Sequence, residues 1–193
     1  MTATRLLVVV AICAALLPDA VEAATKQPQP KPPTAAPAPG ADPGPAKSLG
    51  TSGSWTAYVA QNKSGKVCYL VGQPEKTETA LMKRKAVMAT VTHRTEDQVA
   101  NVVSFDVGYP LNEDDDVTVE IGKDKFTLFA RDDSAWARTS ELDKQIVAAL
   151  AKEKQAIVKG NPKKGPGTVD TYSLAGFAKA LALIDKACDV KRQ

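Results

Sequence analysis

The chain has 193 residues, 24% of them charged and 5% aromatic, and carries a formal net charge of +3. That length leaves one domain of ordinary size once non-globular segments are set aside. Without residues 1–23 and the linker that follows, the net charge is +2, too near neutral for the footprint of a nucleic-acid or anionic-membrane binder.

Residues 1–23 have the three parts of a secretory signal peptide: Arg5, the apolar run Leu6 to Leu17, and the small-residue end Val21-Glu22-Ala23. Cleavage is expected after Ala23. The competing reading, an uncleaved anchor, meets an apolar run shorter than the ~20 residues a spanning helix needs. Cys13 lies inside that run behind Ile12, which speaks against a lipid attachment site. Residues 24–54 read as a disordered linker, with Pro28, Pro30, Pro32, Pro33, Pro37, Pro39, Pro43 and Pro45 set among small residues. Such a composition favours extended polyproline II over a packed core.

From Trp55 to residue 190 the sequence reads as a folded β domain. Short β-like runs at Trp55 to Ala60, Lys66 to Val71, Lys85 to His93, Asn101 to Val107, Val117 to Ile121 and Lys125 to Ala130 are split by turn residues. Gly122-Lys123-Asp124 suits a hairpin. Ser140 to Ala151 is an amphipathic helix, with Ser140 as N-cap and Leu142, Ile146, Val147 and Leu150 on one face. Gln155 to Val158 is a further strand, and a Gly/Pro loop runs to Gly167. Leu174, Phe177, Leu181, Ile184 and Cys188 then recur at helical spacing, with Ser173 placed as N-cap. The predicted fold is mainly β, an antiparallel sandwich or barrel with two short helices, the second C-terminal.

Export gives the cysteines their meaning. Cys68 and Cys188 are the pair left after cleavage, and an oxidising compartment joins such a pair as a disulfide. The closed loop of about 120 residues is worth roughly 4–5 kcal/mol on the chain-entropy model. A metal pair or a reactive thiol is the competing reading, and one His in the whole chain leaves zinc short of ligands.

Few residues suggest chemistry. His93 ends a strand beside Arg94 and reads as a surface residue. Glu113-Asp114-Asp115-Asp116 lacks an EF-hand ligand pattern and reads as a solvated turn. Trp136 follows a strand and a turn at Asp132-Asp133; it covers the core edge or, with Trp55, offers a binding surface. Asp170-Thr171-Tyr172-Ser173 is the densest polar cluster, and Asp170 is expected to accept bonds that fix the chain's angle into the second helix. A hydrolase using Asp170, Tyr172 or His93 in a cleft, and a glycan- or small-molecule-binding module, are the alternatives to a structural role.

Trp55, Cys68-Tyr69-Leu70 with Gln73-Pro74, the Arg84 region, Gly108-Tyr109-Pro110, Ala135-Trp136, and above all Gly167, Asp170-Thr171-Tyr172-Ser173-Leu174, Gly176-Phe177, Ala180 and Cys188 carry a resemblance. The stretch from Ser54 to Cys188 resembles the invasion-associated locus B family of exported alphaproteobacterial proteins. The resemblance implies an immunoglobulin-like β-sandwich, periplasmic, secreted or on the cell surface, with no cofactor and no established enzymatic chemistry. It further implies a protein partner in the envelope or on a host cell, because founding members are linked to host-cell invasion. The long Pro-rich linker departs from the shorter members and leaves envelope attachment open.

Overall fold

The computed structural model describes residues 45–61, 63, 65–78 and 83–192. The expected signal peptide, and the expected linker as far as residue 44, lie outside the described residues.

Eleven strands and two helices follow in chain order among the described residues. They are β1 (Lys47–Ser52), β2 (Trp55–Gln61), β3 (Lys66–Gly72), β4 (Lys76–Glu78), β5 (Met88–Arg94) and β6 (Val99–Asp106). After these come β7 (Val117–Ile121), β8 (Asp124–Arg131), β9 (Ser134–Trp136), α1 (Ser140–Lys152), β10 (Gln155–Gly160), β11 (Thr168–Ser173) and α2 (Phe177–Ala187). The strands pair antiparallel in the order β1-β2-β3-β5-β6-β9-β8-β7-β10-β11-β4. The expected mainly β fold with a C-terminal second helix is what the chain adopts.

The two arms of this ribbon close over one core. Ala57, Leu70, Val91, Val103 and Phe105 from β2, β3, β5 and β6 are buried together with Val119, Leu128, Val158 and Tyr172 from β7, β8, β10 and β11. Phe105 meets Tyr172 edge-on at 6.0 Å between ring centroids. Strict alternation drives this: β7 buries Val117, Val119 and Ile121 while Thr118 and Glu120 stay half-exposed. The α2 stripe, Phe177, Leu181 and Ile184, is buried on the same core.

Several local expectations change. Residues 47–52, expected as the end of the linker, form β1, with Lys47 opposite Val59 and Ser52 opposite Trp55. An edge strand needs little apolar content, because half its surface faces water. Gly53, in the turn after β1, lies so close to the Ala175 carbonyl that a Cβ would overlap it, so the turn is seated against the approach to α2. Helix α1 is capped by Thr139, whose hydroxyl accepts the Leu142 N–H at 3.2 Å, instead of by Ser140. Helix α2 begins at Phe177, and its N-cap is Gly176 at φ +88°, instead of Ser173. Ser173 ends β11 because residues 168–173 pair in full with β10.

Candidate functional site

The 167–177 stretch runs along β11 into α2. Thr168, Asp170 and Tyr172 fall on its inward face by the two-residue period of a strand, and all three are buried. Asp170 is met by an arginine far away in sequence. Arg84 Nη1 and Nη2 donate to Asp170 Oδ1 and Oδ2 at 2.8 and 2.5 Å, and Thr77 Oγ1 donates to Oδ1 at 2.8 Å. Arg84 Nε donates to the Val107 carbonyl at 2.7 Å, and the guanidinium lies 5.3 Å from the Tyr109 ring centroid. The hydroxyls of Tyr109 and Thr168 are 2.5 Å apart.

Asp170 therefore ties β11 to β4 and to the segment carrying Arg84, which corrects the expectation that it steers the chain into α2. The fork-to-fork geometry is the strong form of this pair, and removing one partner of such a buried pair typically costs about 3–5 kcal/mol. Burial works against the charge on Arg84, but Asp170 outweighs it and the guanidinium pKa rises. Burial, reinforced by the Asp170 charge, pushes the Tyr172 hydroxyl well above its ordinary range. Tyr109 is raised chiefly by burial. Neither phenol supplies a base near neutral pH.

His93 is 1% exposed, so the expectation of a surface residue is corrected. Its Nδ1 accepts the Asn101 backbone N–H at 3.0 Å, and its Nε2 lies 2.9 Å from Asp185 Oδ1 on α2. With Nδ1 accepting, the neutral ring carries its proton on Nε2, towards Asp185. Arg192 donates to the same carboxylate at 2.6 and 2.7 Å and to Asn101 Oδ1 at 3.0 Å. Burial raises the Asp185 pKa, but His93 and Arg192 together bring it below the usual carboxylate value. Both imidazole nitrogens are thus committed. A groove of about 380 Å³ passes His93, Val99 and Cys188; neither Asp170 nor Tyr172 lines it. Of the three side chains of the hydrolase reading, Asp170 and Tyr172 lie near one another on β11, whereas His93 sits in a separate network with Asp185 and Asn101.

Beside that groove, Cys68 and Cys188 are joined as a disulfide with Cα atoms 6.1 Å apart. Trp55 lies in the core at 1% exposure; its Nε1 donates to the Ser173 carbonyl at 2.9 Å and its ring meets Phe177 at 4.9 Å. Burial removes Trp55 from any binding surface, whereas Trp136 on β9 is half-buried. The acidic turn pairs outward: Asp116 with Arg138 at 2.7 Å and Glu113 with Lys163 at 3.9 Å. No described cluster of His, Cys, Asp or Glu is arranged to hold a metal ion.

Sequence reasoning missed Thr77, Asp143 and Asp185. Asp143 on α1 is buried, and its Oδ1 accepts the Val103 N–H at 2.8 Å. The strand β9 pairs only with Ser104 to Asp106 of β6, and Asp143 takes the next edge donor along. No signal in sequence foretells this, because it depends on where β9 stops.

The sequence profile of the invasion associated locus B protein family matches residues 55–185. The chain belongs to that family. The crystal structure of invasion associated protein B from Bartonella henselae superposes with a TM-score of 0.53 at 21% identity, covering 72% of this chain and 97% of that one. At that identity the likeness concerns the fold. No curated protein matches the chain. No helix among the described residues is long and apolar enough to cross a membrane.

Proposed function

We propose that this family member is an exported envelope protein, periplasmic or at the cell surface, that works through protein contacts and not through catalysis. The observation that carries the reading is the Arg84–Asp170 pair. The most polar part of the chain's most distinctive stretch is used up inside the sandwich, with side-chain exposures of 8% and 1%. Every buried side-chain nitrogen or oxygen among the described residues has a hydrogen-bond partner. Groups so satisfied hold a scaffold together; a reacting group needs a lone pair or proton free for substrate. Export is supported by the signal-like residues 1–23 and by the disulfide, which persists in oxidising compartments. The family's name makes contact with a host cell the first setting to examine.

Photo-crosslinking in the native envelope, with mass spectrometry of the captured chain, tests this. The expected result is a chain starting at Ala24, oxidised at Cys68 and Cys188, attached to a discrete protein. A chain still carrying residues 1–23 with two free thiols, or one that crosslinks to nothing across a set of surface positions, overturns the proposal.

A further inference from the structure

The sheet parts between β6 and β8. Among the described residues only the three of β9 bridge the gap, pairing with Ser104 to Asp106 on one side and with Phe129 to Arg131 on the other. Beyond β9 no described strand lies between the two, and α1 lies alongside the gap. On the β6 side the edge is capped, since Asp143 accepts the Val103 N–H. On the β8 side no described group caps it.

Register tells which groups are left over. The β7–β8 and β8–β9 connections are two-residue turns, closed by Ile121 with Asp124 and by Arg131 with Ser134. In such hairpins the closing residues exchange backbone bonds with each other. Asp124, Phe126 and Leu128 therefore turn their backbone groups to β7, while Lys125, Thr127, Phe129 and Arg131 turn theirs the other way. Phe129 and Arg131 meet β9. The N–H and C=O groups of Lys125 and Thr127 meet no described partner, and both residues are exposed.

A groove of about 620 Å³ runs along this edge, with Phe126 and Thr127 on one wall and Leu142, Gln145 and Ala149 of α1 on the other. Phe126 and Leu142 are half-buried hydrophobics packed on the main core. The charges lie towards the β7–β8 turn: Asp124 and Lys125 on the strand, Lys152 and the C-cap Glu153 at the end of the helix, two of each sign. Glu153 reaches Gly122 in that turn.

We propose that this edge takes up an extended peptide strand from a partner protein, completing the sheet between β8 and α1. Unpaired backbone donors and acceptors are matched by another backbone in β conformation, and the alternate side chains of the added strand give selectivity. The stretch Asp124 to Thr127 spans about 10 Å at ~3.4 Å per residue, enough to pair with a short segment of about four residues. A charge-balanced mouth and an uncharged interior select a strand that is uncharged in its middle, with apolar side chains at alternate positions facing Phe126, Leu142 and Ala149. The inference rests on the reading that the protein works through contacts, and it names the surface and the backbone chemistry of one such contact.

The test uses the full oxidised chain and an alternating Val/Thr heptapeptide flanked by Lys, with an N-methylated version as control. Amide exchange read by NMR should show Lys125 and Thr127 protected by the peptide and unaffected by the control. Thr127→Pro removes an edge donor whose N–H points away from β7, and Ala148→Trp fills the groove from an exposed helix position lining it. Each should weaken binding at least tenfold with unfolding midpoints close to the parent's. Absence of protection at millimolar peptide, protection confined to another strand, or undiminished binding by both variants overturns the proposal. Should the edge stay bare while envelope crosslinking still captures a partner, the edge assignment falls and the contact reading stands.

Discussion

Asp143 shows how a single carboxylate can mark the stability of the whole chain. Burial raises its pKa to about 6, and the hydrogen bond from Val103 N–H only partly offsets this. In the unfolded chain an aspartate titrates near 3.9. Between about pH 4 and pH 6 the folded state therefore holds more protons than the unfolded state, and stability falls as pH rises through that window before levelling off. Asp106, raised chiefly by burial, acts in the same direction, while the lowered Asp185 contributes stability that is lost in acid. Asp143→Asn keeps an oxygen to accept the Val103 N–H and removes the charge. Urea unfolding should find it more stable than the parent by about 1–2 kcal/mol at pH 7.5, with the gap closing near pH 4. An equal gap at both pH values would place the effect in packing and remove the titration argument. The residue types at Asp170 and His93 were visible in sequence, but their partners were not, because Arg84 and Asp185 lie 86 and 92 residues away.

Elements were legible where alternation or helical spacing stood out against turn residues. The strands β2, β3, β7 and β8 and both helices follow that rule. The strand β11 was hidden because its inward positions are Thr168, Asp170 and Tyr172, so a polar face took the place of the expected apolar one. The strands β1 and β4 are edges with much polar or small content, and β9 is three residues long. The start of α2 was misplaced because Ser173 has a capping side chain, whereas what decides the start is backbone shape. Gly176 sits at φ +88°, and a Cβ there would run into the Ser52 carbonyl at the end of β1. The seam between β1 and α2 thus depends on a residue without a side chain. Gly176→Ala combines left-handed strain with this overlap and should cost about 1–3 kcal/mol, a fall in melting temperature of about 2–10 °C. A melting temperature equal to the parent's would show that the seam can shift freely, and the account of β1 as a docked edge would fail with it.

At the scale of the molecule, the sandwich is tied from its third strand to the end of its last helix. The Cys68–Cys188 bond joins residues 120 apart, from within the matched family region to just past its end at residue 185. This much was legible, since Cys68 and Cys188 are the pair left once the expected signal peptide with Cys13 is set aside. The partners of α2 were not: its apolar stripe packs on the core beside Trp55, and Asp185 holds His93 and Arg192. Those contacts do not require the disulfide, so its main effect falls on the unfolded chain, which it keeps compact. Replacing both cysteines with serine should leave the native near-ultraviolet signal of Trp55 in place. Guanidinium unfolding should then show stability lower by about 2–5 kcal/mol and a steeper denaturant slope, because a longer free chain exposes more surface. Loss of the Trp55 signal in native buffer would mean that the bond holds α2 against the sheet directly. A stability unchanged by the double substitution would mean that packing and the His93–Asp185–Arg192 network close the molecule without it.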